Sequence, residues 1–115
     1  GKTVAVLGTG LNKIYPYENT ELARRIIRSN GTIISEYSLN NKIQRENFAY
    51  RNRIISGLSN DVIVVEANEK SGALITAEYA LLQGKNVYAV PGNINNQNSS
   101  GTNRLIKDGA KILLF

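Results

Sequence analysis

The chain has 115 residues and contains neither cysteine nor histidine. Without thiols there is no disulfide framework and no thiolate metal site. With imidazole missing as well, a structural zinc site and every His-based catalytic triad are excluded. Neither a metal nor a cofactor is expected. Long hydrophobic runs are also missing: nothing approaches the roughly 18 uninterrupted apolar residues of a membrane span. Gly1-Lys2-Thr3 leads straight into a strand-like run, so no signal peptide is expected. These absences make a cytoplasmic location the default and offer no membrane partner. A start at a strand, without Met, suggests a fragment of a longer chain.

What is present suits a single globular domain. At 42% hydrophobic and 20% charged residues, such a chain buries roughly two-thirds of its unfolded surface. A net charge of +5 leans towards acidic partners. Its distribution says more than its size: between residues 41 and 59 the cations Lys42, Arg45, Arg51 and Arg53 face one acid, Glu46.

Residues 61–92 organise the rest. The β-branched run at 62–65 has the length and composition of a strand buried on both faces. After a polar loop, Gly72 opens a helical pattern with Leu74, Ile75, Leu81 and Leu82, which Gly84 ends at the position where left-handed backbone is cheapest. A second strand at 87–90 stops at Pro91-Gly92. Strand, crossover helix and strand within about 30 residues make a βαβ unit with parallel strands.

The remaining sequence repeats that rhythm. Strands are expected at 3–7, 32–35 and 111–115, and helices at 21–29, 52–58 and 102–108, with Asn30-Gly31 and Gly109 as C-terminal caps. Residues 37–48 are polar and aperiodic and read as a long loop. Five strands and four helices in alternation predict an α/β fold, a mostly parallel five-stranded sheet covered by helices with right-handed crossovers. In such a sheet the strand-to-helix loops at 8–17, 36–51, 66–72 and 91–102 emerge at the carboxyl edge, where ligands bind.

Gly8-Thr9-Gly10 after a strand fits a dinucleotide fingerprint only weakly, because position 13 is Lys rather than Gly; a plain tight turn accounts for it better. Ser71-Gly72 and Gly101-Thr102 each open a helix, placing backbone N–H groups and the positive dipole end where a phosphate would sit. Ordinary N-capping by Ser71 and Thr102 is the competing explanation. Arg45, Phe48, Arg51 and Arg53 join phosphate-neutralising cations to a ring on which an unpaired base can stack. A core anchor with a solvated helix start is the bland alternative, and cations at a helix N-terminus count against it. Glu66 and Glu78 have no partner that would make an acid–base pair.

The runs AVLGTGLNKIYPYEN, SEY, RENFAYRNRIISGLS, VIVVEANEKSGALITAEYAL, VYAVPGNI and SGTNRLIKDGAK resemble the DNA-processing protein A family (DprA/Smf), in order and over nearly the whole chain. The resemblance implies a Rossmann-like three-layer αβα fold and a non-enzymatic protein that binds and protects single-stranded DNA. It also implies delivery of that DNA to a RecA-type recombinase during natural transformation. Carried over residue by residue, it places Arg45, Phe48, Arg51, Asn52 and Arg53 on the DNA. Separately from the resemblance, the glycine turn and the two helix starts make Gly8, Gly10, Ser71, Gly72, Gly101 and Thr102 the expected phosphate contacts. The resemblance further implies a homodimer contact over residues 102–107 and 112–115, with Ile106 and Ile112 as its apolar members.

One departure stands out. The family's domain begins further upstream, with a strand and a Gly-Ser-Arg phosphate loop that this sequence lacks, and a C-terminal winged helix is absent too. An exposed sheet edge is then expected. Two rival classes remain. Related nucleotide phosphoribohydrolases carry a Pro-Gly-Gly-x-Gly-Thr-x-x-Glu signature, of which the run from Lys70 to Glu78 keeps Gly72 and Glu78 but not the proline or two of the glycines. Alternatively the chain is a dimerisation and recombinase-docking piece that does not hold DNA.

Overall fold

A computed structural model describes residues 2–114. Among them, β1 (Val4–Val6), α1 (Thr20–Arg28), β2 (Thr32–Ile34), α2 (Arg45–Gly57), β3 (Asp61–Val64), α3 (Gly72–Leu82), β4 (Asn86–Ala89), α4 (Ser100–Lys107) and β5 (Lys111–Ile112) follow one another, with short 3-10 turns at Tyr17–Asn19 and Gln97–Ser99. The predicted α/β alternation stands, and every strand pair is parallel. The strands are shared between two ladders, β1-β2 and β3-β4-β5, where a single sheet was expected. The chain divides into two compact units, Gly1–Arg51 and Asn52–Phe115, with the boundary inside α2. No helix among the described residues is long and apolar enough to cross a membrane.

In the first unit Val4 lies opposite Thr32 and Val6 opposite Ile34. The ladder is extended by Thr32 N–H to the Thr3 carbonyl and Leu7 N–H to the Ile34 carbonyl, both 2.9 Å. α1 packs against β2. Its end divides the expected Asn30-Gly31 signal between two residues. Asn30 takes the left-handed backbone (φ 63°), and Asn30 and Gly31 N–H return to the carbonyls of Ile27 and Ile26 at 3.2 and 2.8 Å, closing the helix. Gly31 is needed for a different reason: a Cβ there would lie 2.7 Å from the Ile26 and Thr3 carbonyl oxygens.

In the second unit α3 and α4 pack on β3 and β4 around Val64, Leu74, Ala77, Ala80, Val87, Ala89 and Leu105. Alanines 77, 80 and 89 are wholly buried and let helix and sheet approach closely. Two expectations fail here. β3 is not buried on both faces: Ile63 and Val65 stay 54% and 57% exposed, because successive strand residues alternate sides and the core cluster draws on Val62 and Val64. Nor do the leucines near the end of α3 face inward. Leu82 is 84% exposed, and the inward stripe is Leu74, Ala77 and Ala80 at three-residue spacing.

Gly84 and Gly109 end α3 and α4 with φ of 74° and 116°. The bonds from Lys85 N–H to Ala80 and from Ala110 N–H to Leu105, both 2.9 Å, complete the same closure seen at α1. The last strand is shorter than predicted, Lys111–Ile112, and Phe115, expected in it, lies outside the described residues.

Candidate nucleic-acid interface

The decisive difference from the sequence reading is the length of α2. Residues 45–51, read as loop, are its first two turns, and no glycine or proline interrupts the helix before Gly57. Arg45, Phe48, Arg51 and Asn52 therefore recur at helical spacing, with Arg45, Phe48 and Arg51 three residues apart on neighbouring positions of one surface.

In the first unit Arg45 is exposed at the helix start, where the dipole disfavours a cation by about 0.3–1 kcal/mol. No acid among the described residues pairs with it. Phe48 is half-buried and lies directly on the loop after β1: a Cβ at Gly8 would meet Phe48 Cδ1 at 2.7 Å. The Tyr15 ring centroid is 5.6 Å from that of Phe48, tilted by 46°, and the Arg51 guanidinium carbon stands 5.9 Å over the Phe48 ring.

Arg51 faces the protein. Its Nη1 donates to the Val6 carbonyl at 2.5 Å. Thr3 and Leu7 bond β2, so by strand alternation the backbone groups of Val6 point away from β2; the guanidinium satisfies that outward carbonyl. Burial lowers the Arg51 pKa, with Tyr37 acting in the opposite direction. Arg51 thus braces the edge of β1 and holds one face of Phe48.

The Gly8-Thr9-Gly10 turn is explained by packing. Thr9 is buried, its hydroxyl donating to the Lys13 carbonyl and its carbonyl accepting from Ser35 Oγ, both at 2.6 Å. A Cβ at Gly10 would fall 2.5 Å from the Ser38 carbonyl oxygen. Gly8 permits close approach of the turn to the Phe48 ring and Gly10 close approach to the loop at Ser38, and the segment that follows sets Tyr15 against Phe48 and Tyr17 against Tyr15.

In the second unit Asn52 is buried and donates from Nδ2 to the Gly72 carbonyl at 3.3 Å, fixing the start of α3. Arg53 is half-buried, and its carbonyl accepts from Gln83 Nε2 at 2.9 Å. Ser71 is the N-cap, its Oγ accepting from Ala73 N–H at 3.2 Å. Gly72 is exposed, with nothing within 4 Å of where a Cβ would be, so this helix start is open to an approaching anion.

The start of α4 is different. Gly101 N–H donates to the Ala67 carbonyl at 2.8 Å, and the wholly buried Thr102 donates to the Ser99 carbonyl at 3.1 Å. Thr102 is also not the cap; Ser99 holds that position. At Gly101-Thr102, expected as a phosphate contact, the Gly101 N–H and the Thr102 hydroxyl are therefore used inside the protein, the former tying α4 to the loop after β3. Ile106 packs against the core, whereas Ile112 is 55% exposed on an outer strand of its ladder.

Sequence reasoning did not single out Tyr15 and Tyr17, which the fold sets against Phe48 and against Tyr15 respectively and which join the candidate residues. The available signal was two aromatic rings flanking Pro16 in a loop at a strand's carboxyl end.

The sequence profile of the DNA recombination-mediator protein A family matches residues 1–114. The chain belongs to that family. Among its relatives, Protein Smf from Synechocystis sp. is 48% identical over 114 residues, covering 99% of this chain and 28% of the relative. The X-ray structure of DNA processing protein A from Streptococcus pneumoniae superposes with a TM-score of 0.85 at 44% identity, over 98% of this chain and 40% of that one. A structure of the Helicobacter pylori DNA processing protein A, which has a unique single-stranded DNA binding mode, superposes with a TM-score of 0.87 at 33% identity, over 99% of this chain and 52% of that one. The chain thus spans roughly a quarter to a half of the length of these family members. At these identities and TM-scores the Rossmann-like α/β assignment is shared with the family.

Proposed function

We propose that this chain is a single-stranded DNA-binding portion of a DNA recombination mediator and that it acts without catalysing a reaction. The observation that carries the reading is the pairing of an exposed, unneutralised Arg45 with the Phe48 ring one helical turn away. Arg45 meets a phosphate, Phe48 meets a base, and Arg51 holds the ring from below while remaining engaged with β1. Within the second unit, Asn52 and Arg53 are the further DNA positions of α2, Asn52 also holding the start of α3, whose open Ser71-Gly72 turn offers amide donors to a phosphate. Gly8 contributes by letting the loop backbone lie close to the ring, and Gly10 by letting the same turn pack on the backbone at Ser38 and Leu39. Family membership and the named binding mode of the Helicobacter pylori relative support this reading.

The same reading extends to partners. Bound DNA is protected and passed to a RecA-type recombinase during natural transformation, in the cytoplasm, and the chain pairs as a homodimer. The exposed Ile112 on an outer strand supports an apolar dimer contact, to which Ile106 contributes from α4.

Fluorescence anisotropy with labelled oligo-dT across a salt series, beside a duplex control, tests the reading. Tighter binding of oligo-dT is expected, and Arg45→Ala should reduce the magnitude of the salt slope by about 0.7. Binding that ignores strandedness, or a slope untouched by the substitution, overturns it.

A further inference from the structure

Tyr15 and Tyr17 are large aromatic residues that the fold leaves in solvent, 48% and 70% exposed. Their ring centroids are 6.4 Å apart at 69°, and Tyr15 in turn lies 5.6 Å from Phe48 at 46°. The three rings form a connected series in the first unit, Phe48 to Tyr15 to Tyr17. Burial gives the outer two little reason to be aromatic, since rings contribute to folding mainly through the surface they hide. Pro16 fixes the backbone between them (φ −69°), and the 3-10 turn beginning at Tyr17 is closed by Asn19 N–H on the Pro16 carbonyl at 3.0 Å. The rings are thus presented on a stiffened turn, which lowers the entropy lost when a ligand orders them.

The spacing identifies the ligand. Bases in a duplex are parallel and rise about 3.4 Å per step. Rings 5.6 and 6.4 Å apart and inclined to one another cannot face successive bases of such a stack. They match bases that have been unstacked and spread, which only an unpaired strand supplies. The nearby cations have matching placement: Lys13 precedes the row in the same loop and Arg45 stands one helical turn before Phe48.

We propose that Tyr15 and Tyr17 are two further base-stacking positions, so that the row Phe48–Tyr15–Tyr17 takes consecutive unstacked bases of one DNA strand. This rests on the single-stranded DNA reading above and adds to it the direction in which the strand leaves Phe48.

The test is an anisotropy titration of this chain with labelled oligo-dT and with an abasic strand of equal length, which keeps the phosphates and removes the bases. Wild type is compared with Tyr15→Ala, Tyr17→Ala, Tyr17→Phe and Phe48→Ala. Loss of one stacking ring corresponds to roughly 5- to 150-fold weaker binding. Each Tyr→Ala variant should weaken oligo-dT binding within that range at unchanged salt slope. Tyr17→Phe should bind as wild type, and on the abasic strand Tyr17→Ala should match wild type.

Wild-type affinity of both Tyr→Ala variants for oligo-dT, with Phe48→Ala weakened, overturns this inference while leaving the DNA reading in place. An equal loss on the abasic strand also overturns it, because the tyrosines would then act on phosphates or on the fold. If wild type itself fails to bind oligo-dT at low salt, the underlying reading falls and takes the inference with it.

Discussion

Gly8→Ala is the substitution that most directly interrogates the contact on which the interface is built. The new Cβ would stand 2.7 Å from Phe48 Cδ1 and 3.0 Å from Cε1, inside van der Waals contact. The ring cannot simply swing aside, because Tyr15 lies on one side of it and the Arg51 guanidinium over its face. Forcing a methyl group into a packed contact typically costs about 1–3 kcal/mol, so this is the expected loss of stability, read by urea denaturation followed by far-UV circular dichroism. A branched aliphatic chain has no planar ring edge at that point and can adapt its rotamer. In a Phe48→Leu background, therefore, Gly8→Ala should cost about 1 kcal/mol less than in wild type, a coupling well above the roughly 0.3–0.5 kcal/mol scatter of independent sites. Because the same ring is assigned to a base, Gly8→Ala should also weaken oligo-dT binding at unchanged salt slope. Strict additivity of the two substitutions in stability would refute the packing argument.

Two further outcomes follow from the same geometry. Gly101→Ala would bring a Cβ to 2.6 and 2.7 Å from the backbone carbonyls of Ala67 and Asn68, so it should destabilise by about 1–3 kcal/mol, whereas Gly72→Ala, which meets nothing, should be neutral or stabilising by up to about 1 kcal/mol; both are read in parallel urea titrations. Incubation of the chain with nucleoside monophosphates should release no free base by chromatography, and steady release would move the assignment to the phosphoribohydrolase class.

The strands were legible because β-branched apolar runs bounded by glycine, asparagine or proline leave few alternatives; the pattern at 87–90 translated almost unchanged into β4. Helix ends were legible too, since Gly84 and Gly109 carry the positive φ their positions imply. α2 was not. Its buried positions are Asn52 and Ser56, polar residues satisfied by the Gly72 carbonyl and by Gln83 Oε1 at 2.8 Å, while Ile55 and Leu58 remain exposed. A helix held by hydrogen bonds shows no apolar period, so its first two turns look like a loop. The partition into two ladders was equally hidden, because apolar runs define strands without naming their neighbours. Among the candidate site residues, charge and aromatic content singled out Arg45 and Phe48, which α2 sets one helical turn apart. The inward commitment of Arg51, Gly101 and Thr102 depends on backbone carbonyls at Val6, Ala67 and Ser99, which no side-chain pattern records.

The central claim is that unpaired bases meet the aromatic row beside α2. It is tested most directly by photocrosslinking oligo-dT carrying bromodeoxyuridine to the chain and mapping the adducts by peptide mass analysis. Adducts on Phe48, Tyr15 and Tyr17, suppressed by unlabelled single strands and not by duplex, are the predicted result. Adducts confined to residues 61–65 and 86–114, with these three rings unmodified, would contradict it.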